Sequence, residues 1–309
     1  MTFAGAVDPA GDRFGVVADP GHVFASIDGL LAHAVPDFAV VAVPTEEHLA
    51  VARRLAAEGV HLLIEKPLAA SAPEGEALIA AVRAAGVHAA VGHVERCNPA
   101  LLALRERVSE VGPVVLIATE RVGPFPDRVC DVGVVKDLAT HDLDLVRWLG
   151  GAPIVTVAAQ TAHRMGRAHE DLVLVTGRLA SDVPFNCMVD WLTPTKRRRS
   201  RVLGEHGMLV ADTLTADLTL YRNGSVASED AFAQALRGVS EGDATRFALS
   251  RREPLLVELE AFCALVAGAE GGPVVTLEEG LETVRYAEAV LASARSGEAV
   301  RPQAMEAVR

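Results

Sequence analysis

The hydrophobic pattern of the first part of the chain alternates between strand-like and helix-like segments. Continuous apolar runs of strand length occur at 3–7, 38–43, 60–64 and 87–91. Helical patterns separate them at 26–31, 46–58 and 73–85, and Gly59 and Gly86 are placed to end two of these helices. Strands and helices that alternate with short joints predict a doubly wound parallel sheet.

The pattern changes after His93. Helical patterns occur at 98–108, 254–267 and 277–293, and a further helix is predicted across 132–150, where Val134, Leu138, Leu145 and Leu149 share one face. Strands are predicted at 114–120, 154–161, 171–179, 185–192, 200–204, 207–212 and 218–221. Successive strands without intervening helices favour an open antiparallel sheet. We therefore predict an α/β fold with a Rossmann-like domain at 1–93 and an α+β domain at 94–309.

Composition narrows the functional classes. The chain has 309 residues, of which 50% are hydrophobic, and its net charge is −12. A negative charge of this size disfavours binding to nucleic acids and to anionic membranes. We find no membrane-spanning apolar run and no secretory signal, and therefore expect a cytoplasmic protein. The cysteines, which are expected to be reduced thiols without a metal, are widely separated at Cys97, Cys130, Cys187 and Cys263.

The helix predicted at 132–150 carries a polar stripe with chemical potential. Asp137, His141 and Asp144 follow at steps of four and three residues, which places them on one side of a helix. A carboxylate one turn from an imidazole can fix its tautomer and stabilise its cation, so an acid/base site is one interpretation. A surface helix with a histidine between two acids is the alternative.

Polar or turn-forming residues follow each strand of the predicted parallel sheet. Such sheets bind ligands at the carboxyl ends of their strands, which here are Asp8, Pro44–Thr45, Glu65–Lys66 and Gly92–His93. An acid after the first of these strands can hold the ribose hydroxyls of a dinucleotide and repel a 2′-phosphate. Asp8 would then favour NAD over NADP; a turn or helix cap is the alternative for this residue.

Three motifs together resemble the Gfo/Idh/MocA oxidoreductase family. They are Glu65-Lys66-Pro67 after a strand, the segment GHVERCNP at 92–99, and Asp137 with His141 in D-x-x-x-H. Segments 92–99, 121–151 and 191–207 look most like the UDP-N-acetylglucosamine 3-dehydrogenase subgroup. Cys97 replaces an aromatic residue of that subgroup, and Lys136 stands where an aliphatic residue is expected.

The resemblance implies hydride transfer between a sugar carbon and a nicotinamide, and it assigns roles to residues. Lys66 would favour the alkoxide of the reacting hydroxyl, His141 would move its proton, and Asp137 would orient Lys66 or His141. Expected contacts to the cofactor are Asp8, Pro44, Thr45, His48, Glu65, Lys66 and Pro67. Expected contacts to the substrate are His93, Arg96, Asn98, Arg121 and Asp131. The basic run 196–201 could contact a pyrophosphate, or could be a solvated strand end.

The family pattern begins with a strand and a G-x-G-x-x-G turn, and this chain contains no such turn. Roughly 25 residues, the size of one strand-turn-helix unit, are expected upstream of Met1. The alternative is a degenerate relative that binds a sugar nucleotide, or serves as a partner subunit, without turnover.

The resemblance thus implies an NAD-dependent dehydrogenase that acts on C3 of a UDP-N-acetylhexosamine. A dehydrogenase or ketoreductase of another pyranoside or a cyclitol, with the same Lys66, Asp137 and His141, is the enzyme alternative. The open sheet of this family usually forms subunit contacts, so the resemblance also implies a homo-oligomer.

Overall fold

The structure is a computed structural model that describes residues 2–126, 132–224, 240–269 and 271–302. Strands β3, β4 and β5 pair in parallel and in this order, as Phe38–Val41, His61–Glu65 and Ala89–Gly92. Strands β1 and β2, at Ala6–Val7 and Val23–Phe24, form a separate two-stranded parallel sheet. The predicted parallel strands are therefore present, but they belong to two sheets instead of one.

Helices α1, α2 and α3 belong to this part of the chain and span Ile27–His33, His48–Ala56 and Ala72–Ala85. The Ser26 side chain accepts a hydrogen bond from the Gly29 backbone and so begins α1. Gly86 ends α3 with a φ of 67°, a left-handed conformation that glycine adopts without strain. Buried Leu62, Ile64 and Leu78 form the centre of this core.

An eight-stranded sheet dominates the remainder of the described chain, in the order β13-β12-β11-β10-β6-β9-β8-β7. Its strands β6 to β13 are Val114–Pro124, Ile154–Ala162, Leu172–Leu179, Pro184–Asp190, Leu192–Gly204, Gly207–Asp212, Asp217–Gly224 and Ser240–Phe247. The prediction of an antiparallel sheet was wrong at one pairing, because β6 and β9 run parallel. A helix follows β6, and such a crossover allows the chain to return in the same direction.

In the large sheet, the structure differs most from the prediction at β10 and β13. β10 is a single strand of 13 residues, so the basic run 196–201 lies inside it and not at a strand end. β13 was not predicted, because its sequence SEGDATRF lacks alternating apolar residues. Backbone pairing with β12, which periodicity does not reveal, holds this strand in the sheet.

Helix α7 joins the two predicted domains. Helices α4 to α7 span Pro99–Arg107, Thr140–Gly150, Pro254–Val266 and Leu277–Ser296. Leu281 and Val284 of α7 pack into the core beside β4, whereas Tyr286 and Val290 pack into the core of the large sheet. Gly280 permits this close approach, since a Cβ there would lie 2.6 Å from Cγ2 of Val91. We keep residue 93 as the proposed domain boundary.

No helix in the described ranges is both long enough and apolar enough to cross a membrane.

Candidate active site

Lys66 follows strand β4 and points at the turn before α5. Its Nζ donates to the backbone carbonyl of Asp137 at 2.6 Å and to Asp137 Oδ1 at 3.0 Å. The side chain of Lys66 is 17% exposed and that of Asp137 is 8% exposed, so solvent screens this ion pair only weakly. An ammonium group has three N–H donors. Among the described residues Lys66 uses two of them, both on Asp137, so the third can bind a ligand.

Asp137 lies in a π-helical turn, Val135–Ala139, directly before α5. The predicted continuous helix over 132–150 is therefore interrupted by one widened turn, a feature that often marks functional sites. Asp137 Oδ2 is buried without a hydrogen-bond partner in the part of the chain that the structure covers. The carboxylate orients Lys66, one of the two roles that the sequence left open.

His141 lies in the first turn of α5, and its Nδ1 is buried without a partner in the described ranges. Asp137 is bound to Lys66 and Asp144 to Arg96, and neither carboxylate accepts a hydrogen bond from His141 Nδ1 among the residues described. Burial lowers the pKa of His141 well below its usual value, and Lys66, Arg121 and other nearby cations lower it further. A neutral imidazole at neutral pH can accept a proton, as a general base must.

His93 follows strand β5 and lies against His141. The ring centroids are 5.9 Å apart and the planes meet at 88°. His93 is 2% exposed, and neither of its ring nitrogens has a hydrogen-bond partner within the described residues. Burial lowers the pKa of His93 to about 4, against a partial opposing effect of Asp144. The structure therefore brings His93 together with Lys66, Asp137 and His141.

Arg96 was predicted to contact substrate, but its side chain is turned toward α5 and α7. Its guanidinium group donates to both carboxylate oxygens of Asp144, at 2.8 and 2.6 Å, and to Glu279 at 3.0 Å. Arg147 also pairs with Glu279, which extends the network along α7. Arg96 and Asp144 are almost fully buried, so we assign them to the support of the site.

Arg121 and Arg198 stand opposite each other on strands β6 and β10 and share one carboxylate. Both donate to Glu95 Oε1, at 3.0 and 2.9 Å, and Arg121 also donates to Asp142 at 2.6 Å. The neighbouring carboxylates Asp142 and Glu95 raise the pKa of Arg121 against the effect of its burial, so its guanidinium group stays charged. Glu95 was missed as a site residue, although it lies within the GHVERCNP motif.

A cleft of about 460 Å³ opens between these groups and the first turn of α6. Asn98, predicted to contact substrate, lines it, while its side chain also caps α4 and donates to the Thr213 carbonyl at 3.1 Å. The cleft is lined by polar groups that can bind sugar hydroxyls, namely carboxylates, an amide, a hydroxyl and a guanidinium group, and by apolar side chains. The lining residues are Glu65, Val94, Glu95, Asn98, Arg198, Thr213, Glu253, Pro254 and Leu255. No local sequence pattern predicts that Thr213 and residues 253–255 line this cleft.

The loops after β3 and β4 meet at the carboxyl edge of the parallel sheet. His48 joins them, since its ring nitrogens lie 3.1 Å from the Val43 carbonyl and 3.2 Å from the Leu68 carbonyl. His48 is 1% exposed, and we propose that it holds the two loops together instead of touching the cofactor. Pro44 and Thr45 in one loop and Glu65, Lys66 and Pro67 in the other are therefore adjacent, as a cofactor site requires.

Asp8 follows β1 in the smaller sheet, and its carboxylate accepts a hydrogen bond from the Ala10 backbone at 2.7 Å. Asp131 lies outside the described residues, as does Cys130. Cys97 and Cys187 are buried thiols, and burial raises the pKa of Cys97 to about 12, which keeps it protonated. No cluster of three metal-ligating side chains occurs in the described ranges.

Two profiles of one protein family match this chain, one in each of its two parts. The profile for the "Oxidoreductase family, NAD-binding Rossmann fold" matches residues 3–93, and the one for its "C-terminal alpha/beta domain" matches residues 123–301. The chain belongs to the Gfo/Idh/MocA oxidoreductase family. It is thus an oxidoreductase with a nicotinamide-binding domain.

Several members of this family are similar over most of the chain. UDP-N-acetylglucosamine 3-dehydrogenase of Acidithiobacillus ferrooxidans is 30% identical over 85% of this chain and 81% of its own length. A crystal structure of that enzyme, GnnA, superposes with a TM-score of 0.83 at 28% identity, covering 95% of this chain and 90% of that one. A myo-inositol dehydrogenase of Streptomyces leeuwenhoekii is 31% identical over 89% of this chain and 83% of its own. The NADP-dependent D-xylose 1-dehydrogenase of Haloferax volcanii is 28% identical over 90% and 84%, respectively. All three relatives are dehydrogenases of a CH–OH group, which is the reaction class of this chain.

Proposed function

We propose that this protein oxidises C3 of a UDP-N-acetylhexosamine to a 3-keto sugar, with NAD as the hydride acceptor. The observation that carries this proposal is the buried Lys66–Asp137 pair beside a neutral His141. A secondary alcohol loses a proton and a hydride on oxidation, so it needs a base, a cation near the developing alkoxide and fixed geometry. These three residues can supply the first two requirements.

The carboxyl edge of the parallel sheet fits a nicotinamide cofactor. Pro44 and Thr45 would hold it from one loop and Glu65, Lys66 and Pro67 from the other, with the loops joined by His48. When bound, the nicotinamide supplies the hydride acceptor. Gly92 fits this tight edge, because a Cβ there would lie within 3.3 Å of the Glu65 carboxylate.

The proton is handled by side chains of the chain itself. Lys66 donates its remaining N–H to the reacting oxygen and stabilises the alkoxide, while Asp137 fixes the direction of the ammonium group. His141 accepts the hydroxyl proton. Its depressed pKa keeps the ring neutral at neutral pH, before the substrate arrives.

The sugar would lie in the cleft beside this set. Glu95, Asn98 and Arg198 offer acceptors and donors at its wall, which suits a polyhydroxylated ring. Similarity to UDP-N-acetylglucosamine 3-dehydrogenase over 85% of this chain supports the sugar-nucleotide assignment. NAD over NADP is proposed from Asp8, whose carboxylate would repel a 2′-phosphate.

Titration calorimetry with NAD and with NADP, followed by an NADH assay on a substrate panel, tests this function. UDP-N-acetylglucosamine, UDP-N-acetylgalactosamine, myo-inositol and xylose form the panel. We expect tighter binding of NAD and turnover of a nucleotide sugar. Turnover of inositol or xylose alone contradicts the proposed substrate.

A cyclitol dehydrogenase is the second candidate. It is favoured by the myo-inositol dehydrogenase that is 31% identical over 89% of this chain. The panel separates the two, because a nucleotide sugar carries a diphosphate that inositol lacks. A folded chain that binds a nucleotide sugar without any turnover would instead support the binding or partner-subunit alternative.

A further inference from the structure

Two imidazole rings meet at the base of the candidate active site, and the proposed reaction gives a role to His141 but none to the second ring. His93 comes from the end of β5 and His141 from the start of α5. Their centroids are 5.9 Å apart, with one ring edge-on to the other. His93 is 2% exposed, and in the described part of the chain both of its nitrogens lack hydrogen-bond partners.

A catalytic histidine often has a carboxylate beside it. Within the described ranges, no carboxylate binds Nδ1 of His141. Asp137 pairs with Lys66 at 3.0 Å, and Asp144 pairs with Arg96 at 2.6 Å. His141 Nδ1 therefore has no acceptor among the residues described. The His93 ring packs edge-to-face with the His141 ring.

Charged groups from several neighbouring elements act on this pair. Those that face His141 are Lys66 after β4, Arg121 on β6, Arg198 on β10 and His93 after β5. Those that face His93 are Lys66, Arg96 in the turn after β5, Asp144 on α5 and Glu279 on α7. The four groups that act on His141 are three cations and the His93 imidazole. A proton on either ring disfavours a proton on the other, because two like charges in contact repel each other.

We propose that His93 is a positioning residue for His141, and that the two rings bind at most one proton between them. The assignment of His141 as the base rests on the proposed dehydrogenase function, whereas the coupling of the rings does not. His93 packs against His141 with the two ring planes at 88°, restricts the orientation of that ring and disfavours its protonation. The pair thus replaces the usual carboxylate with a neutral aromatic partner that favours an unprotonated base.

An NMR titration of imidazole ¹⁵N nuclei in the full chain, without cofactor or substrate, tests the coupling. His93→Phe keeps an aromatic ring but removes the second titrating group. We expect the titration midpoint of His141 to shift upward in this variant, and that of His93 to shift upward in His141→Phe, because coupling acts in both directions. His93→Gln, which keeps polarity without titrating, should shift His141 in the same direction as His93→Phe.

His88→Phe is the matched control. His88 forms another histidine–histidine contact, with His61 at 5.1 Å, at the opposite end of β4 and β5. This variant should leave His141 unchanged. The proposal is overturned if His141 has the same titration midpoint in the wild type, H88F, H93F and H93Q. It is also overturned if the His141 ring stays neutral throughout the titration in all four proteins.

The assay for NADH then separates this proposal from the proposed function. With a substrate that turns over, the acidic limb of kcat/KM should move to higher pH in H93F, as the base gains a proton more readily. A shifted NMR midpoint without turnover supports the ring pair and contradicts the dehydrogenase. Turnover with an unshifted midpoint supports the dehydrogenase and contradicts the coupling of the two rings.

Discussion

At the scale of single residues, the candidate chemistry depends on one cation held beside one neutral base. Lys66 is fixed by two acceptors on Asp137, the backbone carbonyl at 2.6 Å and the carboxylate at 3.0 Å. Backbone and side-chain acceptors on the same residue leave the ammonium little freedom. The geometry thus orders the donor before substrate binds, which is the basis of electrostatic preorganisation.

Lys66→Met should therefore lower turnover by about 10²- to 10⁴-fold, the usual contribution of one positioned acid/base group. Methionine keeps most of the side-chain volume but removes the charge. Lys136→Met is the matched control, because Lys136 lies one residue from Asp137 and, among the described residues, donates only to the Ala70 carbonyl, at 3.3 Å. The NADH assay and circular dichroism check both variants. An equal loss of activity in both would assign the effect to the local fold and not to the Lys66 charge.

At the scale of secondary-structure elements, the orientation of α5 is fixed by a buried ionic network. Arg96 in the turn after β5 binds Asp144 on α5 and Glu279 on α7. The ring of Trp148 lies 5.5 Å from the Arg96 guanidinium carbon and covers it. This network connects the helix that carries His141 to both neighbouring elements, so its loss should loosen the site as well as the fold.

Asp144→Asn should destabilise the protein by about 3–5 kcal/mol, because it leaves Arg96 as a buried charge without its main partner. Urea unfolding followed by circular dichroism measures the change. Asp182→Asn, in the exposed Arg178–Asp182 pair, is the control and should change stability by less than about 1 kcal/mol. A similar small change in both variants would show that the Arg96 charge finds another partner.

At the scale of the whole molecule, both cores and the cleft depend on helices from the end of the chain. α7 packs into both cores, and α6 places Glu253 and Leu255 at the cleft. On the opposite face of the large sheet from α5 and α7, Leu174 and Met188 are exposed and directly opposed in register. We keep the proposal that this face forms subunit contacts in a homo-oligomer.

One buried acid on α6 makes the stability of the whole molecule depend on pH. Glu258 is 3% exposed, and burial, with Glu65 and Glu253 nearby, raises its pKa to about 8 from 4.5. The native state holds this proton to higher pH than the unfolded chain does. The stability that the neutral acid contributes is therefore complete below pH 4.5 and is lost as pH rises through 8.

Glu258→Gln, which has no proton to lose, should differ little from the wild type at low pH, gain relative stability as pH rises from about 4.5 to about 8, and gain no more above that. Thermal unfolding across this pH range measures the difference. Glu260→Gln, an exposed acid on the same helix paired with Arg252, is the control and should show no such trend. A constant difference between E258Q and wild type at all pH values would mean that Glu258 has the same pKa in the native and unfolded states.

Much of the fold followed from local pattern. The parallel strands, α1 to α4 and the final two helices lie within a few residues of their predicted bounds, since periodic burial and capping residues such as Ser26 and Gly86 act within a turn or two. β13 was missed because backbone pairing, and not side-chain alternation, holds it. The parallel pairing of β6 with β9 was missed because it depends on how the chain crosses the sheet.

The sequence by itself determined the element types and the motifs that contain Lys66, Asp137 and His141, because these signals are local in the chain. Only the tertiary structure decided which charges pair. Arg198 meets Glu95 from 103 residues away, and Asp144 binds Arg96 and not the nearby His141. A buried charge is stable only beside a specific partner, and the packing of distant elements decides which partner is within reach.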